Sequence, residues 1–200
     1  METEQRDALL RAMMEELVER GYREASLEGA RRAAGVSEEE VSAEFPNKDA
    51  CLFAAYDRVA ELVVTKASAE CDIAAPWPER VRTGLDTLLG ELAAEPKLAQ
   101  AITRSFPGLR PSAYRLYVDL LSRFVPFMRE GRDYAEVDEE LPGEVELLAV
   151  GAAEAIIFGE VDAGRAERLP KMMPEILFSV LVPFMGPDRA AAEMRSAAAT

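Results

Sequence analysis

The chain has 200 residues, 49% hydrophobic and 30% charged, enough to bury a core in one ordinary domain or in a small domain joined to a larger one. The 37 acids outweigh 23 Lys and Arg to give a formal charge of −14, and histidine is absent. That absence excludes His-ligated metal sites, Ser-His-Asp and Cys-His nucleophiles and the usual general base near neutral pH.

Apolar residues recur at three- and four-residue steps, as in Leu10, Met13, Met14, Leu17 and Val18, while alternating β-branched runs are scarce. The expected fold is therefore all-α. A first helix is expected over about 3–20, stopping at Gly21-Tyr22, where glycine tolerates the left-handed conformation. A second, short helix follows Ser26 and runs into Ala34-Gly35-Val36-Ser37; a third starts at Ser37 and ends near Phe45-Pro46. Asn47 can cap a long fourth helix, striped by Leu52, Phe53, Tyr56, Val59, Val63 and Val64 and reaching about Ala69. A soft boundary falls inside this helix near Cys51, dividing an N-terminal unit over 1–50 from a larger one over 51–200.

Further helices are expected at about 78–95, 96–105, 111–130, 143–160 and 170–185, with Pro126 kinking the third of these. The tail after Gly186-Pro187 is expected to fray. If Cys51 and Cys71 share one continuous helix they stand about 30 Å apart, at ~1.5 Å per residue, which rules out a disulfide between them. The N-terminal METEQRDALLRA has no apolar h-region, and no stretch approaches the roughly 18–20 uninterrupted apolar residues of a membrane span. A soluble, cytoplasmic protein with no membrane partner is expected.

Two short helices joined by a tight glycine turn, behind a longer first helix, form the arrangement in which the second short helix enters the major groove. The matching residues are Gly21-Tyr22, Ser26, Ala33-Ala34-Gly35-Val36-Ser37, Phe45-Pro46-Asn47-Lys48-Asp49-Ala50 and Phe53. Together, at these spacings, they resemble the TetR family of bacterial transcription regulators over the first quarter of the chain. The resemblance implies an N-terminal helix-turn-helix head over 1–50, a helical ligand-binding and dimerisation body over 51–200, a homodimer, and repression relieved when a small ligand shifts the heads apart.

One stretch departs from the family pattern. After the cap serine the family usually has Lys or Arg, a small residue, Thr or Ser, an aliphatic residue, Tyr, any residue, His or Tyr, and Phe. Here these places hold Glu38, Glu39, Glu40, Val41, Ser42, Ala43, Glu44 and Phe45. The aliphatic and Phe anchors are kept, and the groups that would face DNA are not. Ala25, Glu28, Gly29, Ala30 and Arg31 depart as well, and residues 1–50 hold 7 Lys and Arg against 13 acids. Locally the acids are sensible, since Ser37-x-x-Glu40 is a capping box and acids in a first turn suit the helix dipole. Against DNA they are costly: a carboxylate about 6 Å from a phosphate is repelled by ~0.7 kcal/mol at a water-like dielectric. Ser26, Arg31, Arg32, Ser37 and Lys48 are the candidate phosphate contacts; with Glu38, Glu39, Glu40, Ser42 and Glu44 they make up the candidate DNA-facing set.

In the larger unit Trp77, Phe106, Tyr114, Tyr117, Leu121, Phe124, Met128 and Phe158 are candidate ligand-pocket residues, although such groups more often fill a core. With the resemblance they imply an apolar cavity for a small hydrophobic effector. Gly151, Ala152, Ala155 and Gly159 form a small-residue face, and Ile176, Leu177, Val180, Leu181, Phe184 and Met185 a broad apolar stripe. An isologous homodimer through helices near 143–160 and 170–185 would bury both; packing inside the chain is the alternative for the stripe.

The leading expectation is a DNA-binding transcription regulator of this type, a repressor released from a double-stranded operator by a hydrophobic ligand. The alternative is a dimeric ligand-binding protein of the same fold whose acidic helix has weakened or lost operator binding. No enzyme, metal or cofactor is expected, since no Gly-rich phosphate loop or cysteine cluster accompanies the acids.

Overall fold

The computed structural model describes residues 1–70, 73–105, 118–119, 121–135 and 141–198, with no strand among them. Helices α1 (Thr3–Glu24), α2 (Leu27–Ala34) and α3 (Glu38–Glu44) build the head, and α4 (Lys48–Glu70) leads out of it. Gly21 breaks α1 near its end with φ 71°, and Gly35 closes α2 with φ 68°, a conformation in which a side chain would be strained. Asn47 Oδ1 accepts from Ala50 N at 2.9 Å and so caps α4 as its side chain suggests.

The apolar stripe of α1 closes the head core. Leu9, Leu10, Met13 and Leu17 pack on Val36, Val41, Phe45 and the first turns of α4, where Cys51 and Leu52 are fully buried. Burial pushes the Cys51 thiol up to about 12. Cys71 lies outside the described residues.

In the body α5 (Trp77–Ala94), α6 (Pro96–Ser105), α7 (Val125–Met128), α8 (Val145–Asp162) and α9 (Met173–Ala198) are joined partly by 3-10 turns at Arg129–Tyr134 and Ala166–Met172. The core centres on Trp77, 1% exposed. Its Nε1 donates to Phe127 O at 2.8 Å, its backbone N donates to the Tyr134 hydroxyl at 3.2 Å, and the Phe184 ring meets it edge-on with centroids 5.3 Å apart. These contacts satisfy the indole's one polar group while its area is buried. Arg132 clamps the opposite side of the turn: Nε and Nη2 pair with Glu146 on α8, and Nη2 also donates to Pro142 O at 3.0 Å.

Three expectations are corrected. Pro126 does not kink a long helix; it sits in the first turn of α7, where its missing N–H costs nothing, and 106–117 of the expected 111–130 segment and its approach lie outside the described residues. The tail does not fray: Gly186, at φ 73°, bends α9, which continues with Ala190 and Ala197 buried. Ile176, Leu177, Val180, Leu181, Phe184 and Met185 do not form an exposed interface stripe, because all six are buried in the body's own core. The segment Ala166–Ala198 is long and apolar enough to cross a membrane by length and composition, and these same buried contacts account for its apolar character.

Gly131 is set by the tryptophan. A Cβ there would stand 2.7 Å from Trp77 Cη2 and Cζ2 and 2.8 Å from Phe184 Cδ1. Gly131→Ala is expected to destabilise the body by about 1–3 kcal/mol, read as a lower denaturant midpoint in Trp77 emission. Hydrogen bonding from Arg132 holds the Glu146 carboxyl below its ordinary value. Its stabilisation is therefore complete above the unfolded carboxylate value near 4.5 and is lost as pH falls through the lower folded value. Glu146→Gln is expected to be less stable at pH 7 and to show a shallower loss of stability below pH about 4.5, measured by urea unfolding across pH.

Candidate nucleic-acid interface and ligand cavity

The turn between α2 and α3 is held by side chains that sequence alone offers to DNA. Ser37 Oγ accepts from Glu40 N at 3.3 Å, and the Glu40 carboxylate accepts from Ser37 N at 3.1 Å and from Ser37 Oγ at 2.6 Å. These bonds hold Glu40 below the usual carboxylate range. Ser26 Oγ accepts from Gly29 N at 2.9 Å and caps α2. Glu44 accepts from Arg6 Nε at 2.6 Å, tying α3 to α1. Glu38, Glu39 and Ser42 are exposed on the outer face of α3.

The candidate cations are engaged inside the head. Arg31 Nε and Nη2 donate to the two Glu28 oxygens at 2.7 and 2.8 Å, and Nη1 donates to Val36 O at 3.1 Å. Arg32 Nε donates to the same carboxylate at 2.7 Å. The Arg31 hydrogen bonds, helped by Arg32, hold Glu28 at about 2, so it stays charged at any ordinary pH. Lys48 Nζ donates to Tyr22 O at 2.6 Å and lies 4.4 Å from the Tyr22 ring centroid. The face is thus acidic outside, with Arg31 and Lys48 folded onto neighbours and Arg32 paired with Glu28 while still exposed.

Sequence reasoning missed Glu16, whose carboxylate accepts from Ser26 N at 3.2 Å and Arg20 Nε at 3.0 Å. A Cβ on Gly29 would come within 2.6 Å of this carboxylate, the far end of a flexible side chain. Only the Glu16-to-Arg20 step was legible in the sequence.

The body holds a half-open cavity of about 710 Å³. Of the candidate ligand-pocket residues, Trp77, Leu121, Phe124, Met128 and Phe158 line it; Phe106, Tyr114 and Tyr117 lie outside the described residues. Val63 and Val64 of α4, Leu85 and Leu88 of α5, and Ile102 of α6 form further walls that aromatic content alone does not mark. Polar wall groups are few: Ser68, Arg80, Thr103, Glu130 and Glu154. Arg80 donates to Ile73 O at 3.1 Å and Ala75 O at 3.0 Å and pairs with Glu130. Ile102 has a second contact, packing with Leu98 and Ala101 against the head core. Among the described residues no group of His, Cys, Asp and Glu is placed to hold a metal.

Residues 9–55 match the family of bacterial regulatory proteins described as tetR. No curated protein matches the chain in sequence. In fold it is similar to the fatty acid degradation regulator FadR from Bacillus halodurans, with TM-score 0.70 and 18% identity, covering 88% of this chain and 97% of that one. It is also similar to a TetR-like transcriptional regulator from Rhodococcus sp. RHA1, with TM-score 0.53 and 19% identity, covering 89% and 96%. At such identities the likeness concerns the fold alone. Residues 9–55 therefore carry a tetR-type helix-turn-helix, on a helical body whose fold is similar to that of these two regulators.

Proposed function

We propose that the chain is a cytoplasmic, homodimeric repressor whose heads leave their operator when a small hydrophobic molecule fills the body cavity. The observation that carries this reading is Ile102, which lines the cavity and packs on the head core at once. A ligand that displaces α6 acts directly on α1. Two reading helices must stand about 34–36 Å apart to enter successive major grooves, so a small shift of each head is enough to lose the fit.

The dimer uses the outward face of α8. Leu148, Ala152, Ala155 and Gly159 follow helical steps along one side, and Leu148 is 63% exposed. Small residues let a second copy of the helix approach closely, and a two-fold contact through this face covers the leucine. Ala155→Arg is expected to convert the dimer to monomer at micromolar concentration, seen by sedimentation velocity, with helix content unchanged.

A second reading, a ligand-binding dimer with weakened or lost operator affinity, is favoured by the head's ion pairs. Arg31 and Arg32 share Glu28 while Glu38 and Glu39 face outward, so few cations are left to release counterions from phosphate. Glu40 belongs to the cap and is best left in place, so the test is Glu38→Lys with Glu39→Lys. Against duplex from the chain's own upstream region at low salt, the variant is expected to bind at least about tenfold tighter than the native chain. Its affinity is also expected to fall more steeply with salt. Equal, tight binding by both forms would remove the second reading; binding by the variant alone would remove the first as stated.

A further inference from the structure

Among the described residues, the body cavity contains one charge that its walls do not cancel. Along α8, Val150, Ala153, Glu154, Ile157, Phe158 and Val161 recur at three- and four-residue steps and turn one face to the cavity. All but Glu154 are apolar. The acids nearer the ends of the same helix are paired, Glu146 with Arg132 and Glu160 with Arg165 and Arg168. Glu154 has no cationic partner among the described residues.

The cavity's one described cation is already committed. Arg80 pairs with Glu130 and serves the carbonyls of Ile73 and Ala75. Arg80, Glu130 and Glu154 together leave the described wall with a net charge of −1. A half-buried carboxylate set in an apolar stripe attracts a cation brought to it. An anionic ligand would meet repulsion there. A separate feature points the same way: Trp77, Phe124, Phe127 and Phe158 line the same cavity, and ring faces attract ammonium groups.

We propose that the effector is an organic monocation with an apolar body, its ammonium held by the Glu154 carboxylate and the neighbouring aromatic rings. This rests on the reading of the cavity as the effector site. It adds the sign of the ligand's charge and the residue that selects it.

The test is calorimetric titration of the full chain with decyltrimethylammonium, 1-decanol and decanoate below micelle formation, with Trp77, the single tryptophan, as a second reporter. The ammonium is expected to bind at least about tenfold tighter than the alcohol, with decanoate weakest. Glu154→Gln is expected to weaken the ammonium by about tenfold and leave the alcohol unchanged, which also shows the cavity intact. Tighter binding of decanoate, equal binding of ammonium and alcohol, or ammonium affinity indifferent to Glu154→Gln would overturn the proposal while the cavity reading stands. Failure of all three ligands to bind would bring down the cavity reading and this proposal with it.

Discussion

Helix α6 is packed on two cores at the same time. Leu98, Ala101 and Ile102 lie against the head, while Ala99, Ile102 and Thr103 face the cavity, and Gln100 Nε2 reaches Val161 O on α8 at 3.5 Å. Close-packed interiors transmit displacement and do not absorb it. A molecule wedged beside Ile102 must move α6, leave the cavity, or disturb the head. Covalent continuity through α4, which shares both the head core and the cavity wall through Leu52 and Val64, gives the same motion a second route.

The head separates shape from charge. Its shape depends on Gly35, the reciprocal Ser37 and Glu40 cap, and the buried Val41 and Phe45, and none of these needs a positive surface. Its charges are arranged for internal economy: Glu28 binds two arginines, Glu44 binds Arg6, and Lys48 turns back onto Tyr22. A helix-turn-helix is thereby stabilised by the groups that in a strong DNA binder would be offered to phosphate. The arrangement changes the charge that the head presents, and the fold is left untouched.

Much of the architecture was legible because it is local. Helical spacing and the punctuation by Gly21, Gly35, Ser37 and Asn47 located the first four helices, since a cap and a left-handed glycine act within a few residues. What escaped is non-local. The stripe from Ile176 to Met185 announces burial without naming its partner, and its partners are α8, α5 and the 3-10 turns of the same chain. Pro126 and Gly186 carry the same local signal whether a helix ends, begins or bends there. In the cavity the aromatic residues stood out, but the Arg80 and Glu130 pair joins positions 50 apart, and the orientation of Glu154 follows only from the face that α8 presents.

Cys51 sits at the centre of the head with its thiol fully buried and its ionisation displaced to about 12. The thiolate is the reactive form, so in the folded head this sulfur is shielded from alkylating agents, peroxide and disulfide exchange alike. Oxidative stress consequently has no direct handle on the head through this sulfur: a redox cue can reach it only after the three-helix unit has opened.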